Sequence, residues 1–165
     1  MRLSRSIRPP EQGRRKWLLV VKHQEWRSYL VIGSQIWIAR THWVDGHSVE
    51  CTKDSGVCAH CKPNGRERWT GYLHAVLKGS SQECFLVLPH GTVNALLHGQ
   101  PDGYNFRGRT LQLRRAGKGD TAALAARIDL HQSHTGHLPA ERDPSEIIEE
   151  VMRRRAGLTT TPLPE

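Results

Sequence analysis

Two stretches rich in β-branched and aromatic residues, Tyr29–Ile32 and Gln35–Arg40, flank Gly33-Ser34, a pattern that predicts two strands joined by a turn. Along the second, Ile36 and Ile38 fall on one face while Gln35, Trp37 and Ala39 fall on the other. A third strand is predicted over 68–77 and a fourth over 83–88, with Lys78-Gly79-Ser80-Ser81 as the turn between them. The fifth and sixth cover 109–115 and 122–129, joined by Gly117-Lys118-Gly119-Asp120. In the fifth, Leu111 and Leu113 point one way and the polar residues the other. A short helix is expected at 92–98, capped by Thr92 and ended by Gly99.

The C-terminal region switches to a helical period. Asp143 suits an N-cap, Pro144 the first helical position, and Glu146 completes a capping box. Arg153, Arg154 and Arg155 fill a last turn before Gly157, where the helix dipole favours cations. Ile147, Ile148, Val151 and Met152 make one apolar stripe, expected to pack on the body, with docking of a partner protein as the alternative.

Short strands with one helix after the fourth predict a mainly β fold: a small, OB-like β-barrel with an inserted module at about 42–65 and a C-terminal α-helix. Strand number alone does not separate this barrel from an SH3-like one. Residues 1–16 carry Arg2, Arg5, Arg8, Arg14, Arg15 and Lys16 against Glu11, too polar to bury a face, and read as a flexible basic arm. Residues 17–134 are the expected domain, and 135–165 the C-terminal helix and tail.

The charge sharpens the picture. The 165 residues carry 24 Lys+Arg against 16 Asp+Glu, a formal net charge of +8, and 18 of the cations are Arg. Arginine's planar fork suits phosphate. The longest apolar run, Trp17–Val21, stops at Lys22, far short of a membrane span, so no membrane partner is expected. The Arg-rich start has no apolar stretch before a small-residue cleavage site, so a cytoplasmic location is expected.

Three of the four cysteines cluster. Cys58-Ala59-His60-Cys61 is a CxxC knuckle that lets two thiolates share one tetrahedral ion, and Cys51 adds a third sulfur. His60 lies inside the knuckle and is poorly placed for its ion. His42 and His47 remain as fourth ligand, and His42 is preferred because it follows the strand that would hold it. Three thiolates and one imidazole close a site, so the expected cofactor is a structural Zn²⁺ bound by His42, Cys51, Cys58 and Cys61. Cys84 reads as a core residue. A zinc deaminase would need H-x-E before P-C-x-x-C, whereas His47 and Glu50 are spaced H-x-x-E and no proline precedes Cys58. No P-loop, nucleophile elbow or carboxylate cluster for Mg²⁺ is present, and H-x-x-H-x-x-H at 131–137 is broken by Gly136 and Pro139. The chain reads as a non-enzyme.

His42, Cys51 and Cys58-Ala59-His60-Cys61, followed by Arg68-Trp69-Thr70-Gly71-Tyr72-Leu73, resemble the T-even phage type of single-stranded-DNA-binding protein. In that family a His/Cys/Cys/Cys zinc module is built into an OB-fold, and a cleft lined by arginines and aromatic residues holds the strand. The resemblance covers about 20 residues at motif level and implies a zinc-containing, OB-like binder of single strands.

Single-strand binding needs cations for phosphates and aromatic faces for bases. Trp37, Arg40 and Trp43 precede the cysteine module, and Arg66, Arg68, Trp69 and Tyr72 follow it. A third segment holds Tyr104, Phe106, Arg107, Arg109, Arg114, Arg115 and Lys118. In an OB barrel these segments are expected to converge on one face. The reading is a sequence-tolerant binder of single-stranded DNA acting in replication, recombination or mobile-element processing. The alternatives are a zinc-containing RNA- or duplex-binding accessory protein, or an interaction subunit of a larger nucleic-acid machine.

Overall fold

The computed structural model describes residues 17–44, 47–51, 53–61, 67–118, 122–145 and 147–149. The basic arm, Arg66, the Gly119-Asp120 turn, Glu146, and Val151 and Met152 of the C-terminal stripe lie outside them. Among the described residues eight strands form: β1 (Leu18–Val20), β2 (Arg27–Val31), β3 (Trp37–Val44), β4 (His47–Glu50), β5 (Arg68–Leu77), β6 (Glu83–Pro89), β7 (Arg109–Arg115) and β8 (Leu124–Ser133). Helix α1 (His90–Leu97) follows β6.

Strand β5 organises the sheet. It pairs antiparallel with β6 along one edge, and with β2 and then β3 along the other. The order runs β1-β6-β5-β2-β7-β8, with β3 on β5 and β4 on β3. Strand β1 joins β6 in parallel. The fold is mainly β, but among the described residues nothing pairs β1 with β8, so the sheet is open and the expected barrel is not closed. Helix α1 covers one face, and Trp17, Leu18, Ile147 and Ile148 cover the other over β5 and β6.

On the first face, Leu73, Leu86, Leu88, Leu111 and Leu113 pack with Val93 and Leu96 of α1. Gly71 permits that contact, since a Cβ there would stand 2.5 Å from Val93 Cγ2. On the opposite face Tyr72 and Phe85 are covered by Trp17 and Leu18 before β2 and by Ile147 and Ile148 near the C-terminus. Each fully buried aliphatic side chain contributes about 1.5–3 kcal/mol.

Helix α1 begins two residues before the expected start. Its N-cap is Pro89, with no side-chain cap. Thr92 does not cap it; its hydroxyl instead donates to the Leu124 carbonyl at 2.8 Å, tying α1 to β8. Gly99, at φ +76°, follows the last turn where the chain must turn left-handed. The C-terminal cap forms as expected, with the Ser145 N–H donating to Asp143 Oδ1 at 2.8 Å and helical residues at 144–145 and 147–149. No described helix is long and apolar enough to cross a membrane.

Candidate functional site

The β3–β4 hairpin extends past the sheet and carries the first metal-ligand candidates. His42 pairs with Val49 in its register, and the Cys51 N–H donates to the Arg40 carbonyl at 2.9 Å, extending the ladder by one step. Alternation therefore turns His42 and Cys51 to the same side of the hairpin. A 3-10 turn at Lys53–Ser55 and Gly56, at φ +140°, reverse the chain. The Cys61 N–H donates to the Cys58 carbonyl at 3.2 Å and closes the knuckle. Strand β5 then begins at Arg68, beside Thr41.

Four ligand atoms meet there. His42 Nε2 lies 3.5 Å from Cys58 Sγ and 3.4 Å from Cys61 Sγ, and Cys51 Sγ lies 3.5 Å from Cys61 Sγ. All four are within 4.8 Å of one another. A tetrahedral ion with bonds of about 2.3 Å to sulfur and about 2.0–2.1 Å to nitrogen needs S···S near about 3.8 Å and S···N near about 3.6 Å. The spacing fits, and the quartet can hold a metal ion such as zinc. His42, Cys51 and Cys58 are buried, as a closed site requires. Protonated thiols crowd one another here: burial, then hydrogen bonds with Cys51 and Cys58, push the Cys61 thiol up to about 12. A bound cation would reverse that balance by stabilising the thiolates. His60 is exposed, with its ring centroid 6.1 Å from that of His42. Cys84 is buried in the main core.

The expected nucleic-acid residues scatter. Tyr72 and Phe106 are only 1% and 2% exposed, so neither ring is available for stacking on a base. Tyr72 belongs to the core against Trp17 and Phe85, and Phe106 to the core under α1. Arg107 is spent internally, its guanidinium donating to the carbonyls of Ile32 and Pro139. Arg115 is buried and donates to the carbonyls of Val21 and Ala122. Arg68, Arg114 and Lys118 are exposed, and Arg109 is half-buried. Nor do the segments converge. Register opposes Arg40 to Trp69 on the α1 side and Trp37 to Tyr72 on the other, so Trp37 and Trp69 face opposite ways. Trp43 alternates with His42 and shares the side of Trp37.

What does assemble is smaller. Trp69 is 42% exposed, and the Arg40 guanidinium stands 4.9 Å from its ring centroid. Asp54 Oδ1 accepts from Arg40 at 3.4 Å, linking this pair to the turn that carries the cysteines. Beside it an open groove of about 270 Å³ runs between Ile38, Trp69 and Gly71 of the sheet and Val93, Asn94 and Leu97 of α1. Two of its apolar residues face solvent, with Ile38 49% and Leu97 40% exposed. A second cationic cluster lies across the sheet. Arg114 and Arg127 stand 4.8 and 4.2 Å over the ring of Trp26. Neither the groove nor the Trp26 cluster is legible from local spacing, because each joins residues far apart in the chain. No protein-family model, curated protein or solved structure matches the sequence.

Proposed function

We propose that the protein binds single-stranded DNA with little sequence preference, through a hairpin held in shape by a structural zinc ion, and serves replication, recombination or mobile-element processing. The observation that carries this reading is the Arg40–Trp69 pair, a cation and a half-exposed aromatic face on paired strands beside the metal quartet. A base stacked on Trp69 or lodged in the groove against Leu97 would put its phosphate near Arg40, the combination that single strands need. Zinc would act structurally, because three sulfurs and His42 leave no open position for a substrate. The net charge of +8 supports an anionic ligand, and the resemblance to the T-even phage type of binder points the same way. We read the open sheet as a relative of the OB-fold, in which β5 is shared by three neighbours and α1 packs across β5, β6 and β8.

Competition among single-stranded DNA, duplex DNA and RNA at matched salt tests the reading. Single strands should win, and Trp69→Ala and Arg40→Ala should each weaken binding, stacking being worth about 1–3 kcal/mol per base. No affinity for any nucleic acid at low salt would end the proposal, and a preference for duplex or RNA would replace its ligand.

A further inference from the structure

The Trp26 cluster is a second cationic site, on the face opposite the Arg40–Trp69 pair. In register, Ser28 opposes Gln112, which opposes Arg127, so these three share one row across β2, β7 and β8. Arg114 lies two residues beyond Gln112 and so projects from the same face. This is the face away from α1, since Leu111 and Leu113 alternate with these residues and enter the core beneath the helix. Arg114 and Arg127 are both exposed. Trp26, half-buried, precedes β2 at the edge of this patch.

Two cations on one indole ring are unusual in their charge balance. Their guanidinium carbons are 4.8 and 4.2 Å from a single ring centroid, so they are within about 9 Å of each other. Each stacks on the ring, and among the described residues neither is ion-paired with a carboxylate. Stacking on an aromatic face fixes a guanidinium while leaving its N–H edge free to donate. Two like charges held this close are stabilised by an anion that bridges them. Beside them Gln112 Nε2 donates to Ser28 Oγ at 3.4 Å, and Asp129, two residues from Arg127, is the carboxylate on the same face of β8.

We infer that Trp26, Arg114 and Arg127 form a phosphodiester-binding site, separate from the zinc-clamped hairpin, that grips the sugar–phosphate backbone of a longer single strand. This rests on the reading of the protein as a single-strand binder. Trp26 is here a positioning residue: its ring faces the cations rather than a base. The role expected of it is therefore orientation, not stacking.

The test compares oligothymidylates of about 6 and about 20 nucleotides, one near the short end and one beyond the long end of the about 4–16 nucleotides that a single OB-type domain covers. Arg114→Ala/Arg127→Ala should bind the short strand as the unaltered protein does. It should bind the long strand several-fold more weakly, with a salt slope lower by about 0.7 for each phosphate left unneutralised. Trp26→Ala should weaken long-strand binding while Trp26→Phe restores it, a difference that loss of charge would not produce. Melting temperatures close to that of the unaltered protein would confirm that the exposed substitutions leave the fold intact. Equal affinity and equal slope for the long strand in the double variant would overturn this site while leaving the hairpin reading in place. An unaltered protein that binds neither strand would overturn both.

Discussion

His74 is 2% exposed in the middle of β5, yet its ring is held by polar partners on both sides. Its Nε2 lies 3.0 Å from Glu83 Oε2, and its Nδ1 accepts from the Arg142 N–H at 3.4 Å. An accepting Nδ1 requires that Nε2 carry the proton, so the ring is neutral and Glu83 accepts from it. Arg142 Nε also donates to Glu83 at 3.0 Å, and its guanidinium stands over Trp17 at 5.1 Å. Burial lowers the His74 pKa against the opposing pull of Glu83. Burial alone would raise Glu83, but hydrogen bonds from Arg142 and His74 outweigh it and hold the carboxyl below its ordinary value. Both shifts have the same consequence. The unfolded chain takes up each proton at a higher pH than the folded one, so stability is full above the ordinary histidine value of 6.5 and declines as pH falls below it. Glu83 adds a further loss below its ordinary 4.5. Melting temperature should therefore drop between about pH 7.5 and about pH 5.5, and His74→Gln should flatten that drop. Parallel pH profiles for the two proteins would show that His74 has no part in it. The same scale separates what is readable in sequence from what is not. The metal quartet is legible because ligand chemistry demands short, fixed spacings, although β3 runs on through His42 rather than ending before it. Tyr72, Phe106 and Arg107 mislead a local reading because burial depends on segments far away: Trp17 and Phe85 for the first, α1's core for the second, the Ile32 and Pro139 carbonyls for the third.

At the scale of elements, local pattern is sufficient where a strand alternates cleanly or ends in a strong turn. Strands β5 and β7 have the expected bounds, and β6 extends one residue further. The omissions have a physical pattern. Strand β1 has three residues and exists through parallel pairing with β6, a partner far along the chain, which no local period reveals. Strand β4 is polar and reads as loop, but pairing with β3 gives it a ladder. The C-terminal segment shows how a short element is held. Glu141 Oε1 accepts from both the Ser34 N–H at 2.8 Å and the Ser34 hydroxyl at 3.0 Å. Arg142 joins the His74–Glu83 pair, and Ile147 and Ile148 are 3% and 8% exposed over Tyr72 and Phe85. Removing everything after Pro139 should lower stability by several kcal/mol, since each buried isoleucine alone is worth about 1.5–3 kcal/mol and Trp17 loses its cover. Denaturant unfolding measures this, and an unchanged midpoint would mean that the segment does not pack as described.

For the molecule as a whole, the metal quartet and the hydrophobic core are separate sources of order. None of His42, Cys51, Cys58 and Cys61 belongs to either apolar cluster, and the four instead join β3 and the end of β4 to the knuckle at 58–61. The leucines of β5, β6 and β7 with α1 need no metal to stay buried, whereas the hairpin beyond Arg40 has few such contacts. Binding free energy at a closed zinc site is folding free energy for the segment that supplies its ligands. Loss of the ion should therefore unfold part of the molecule rather than all of it, an opening of the kind that hydrogen exchange resolves. Freshly purified protein should contain one zinc ion per chain, and Cys58→Ser or His42→Ala should lose it, while His47→Ala should retain it. In the metal-free protein, amides of β3, β4 and the knuckle should lose protection, while those of β6 and β7 keep theirs. Affinity for single strands should fall with the hairpin, because Arg40 and Trp69 would no longer be held face to face. Metal analysis finding no zinc would remove the quartet's assigned role. Equal loss of protection across β6 and β7 would show that the ion holds the whole fold.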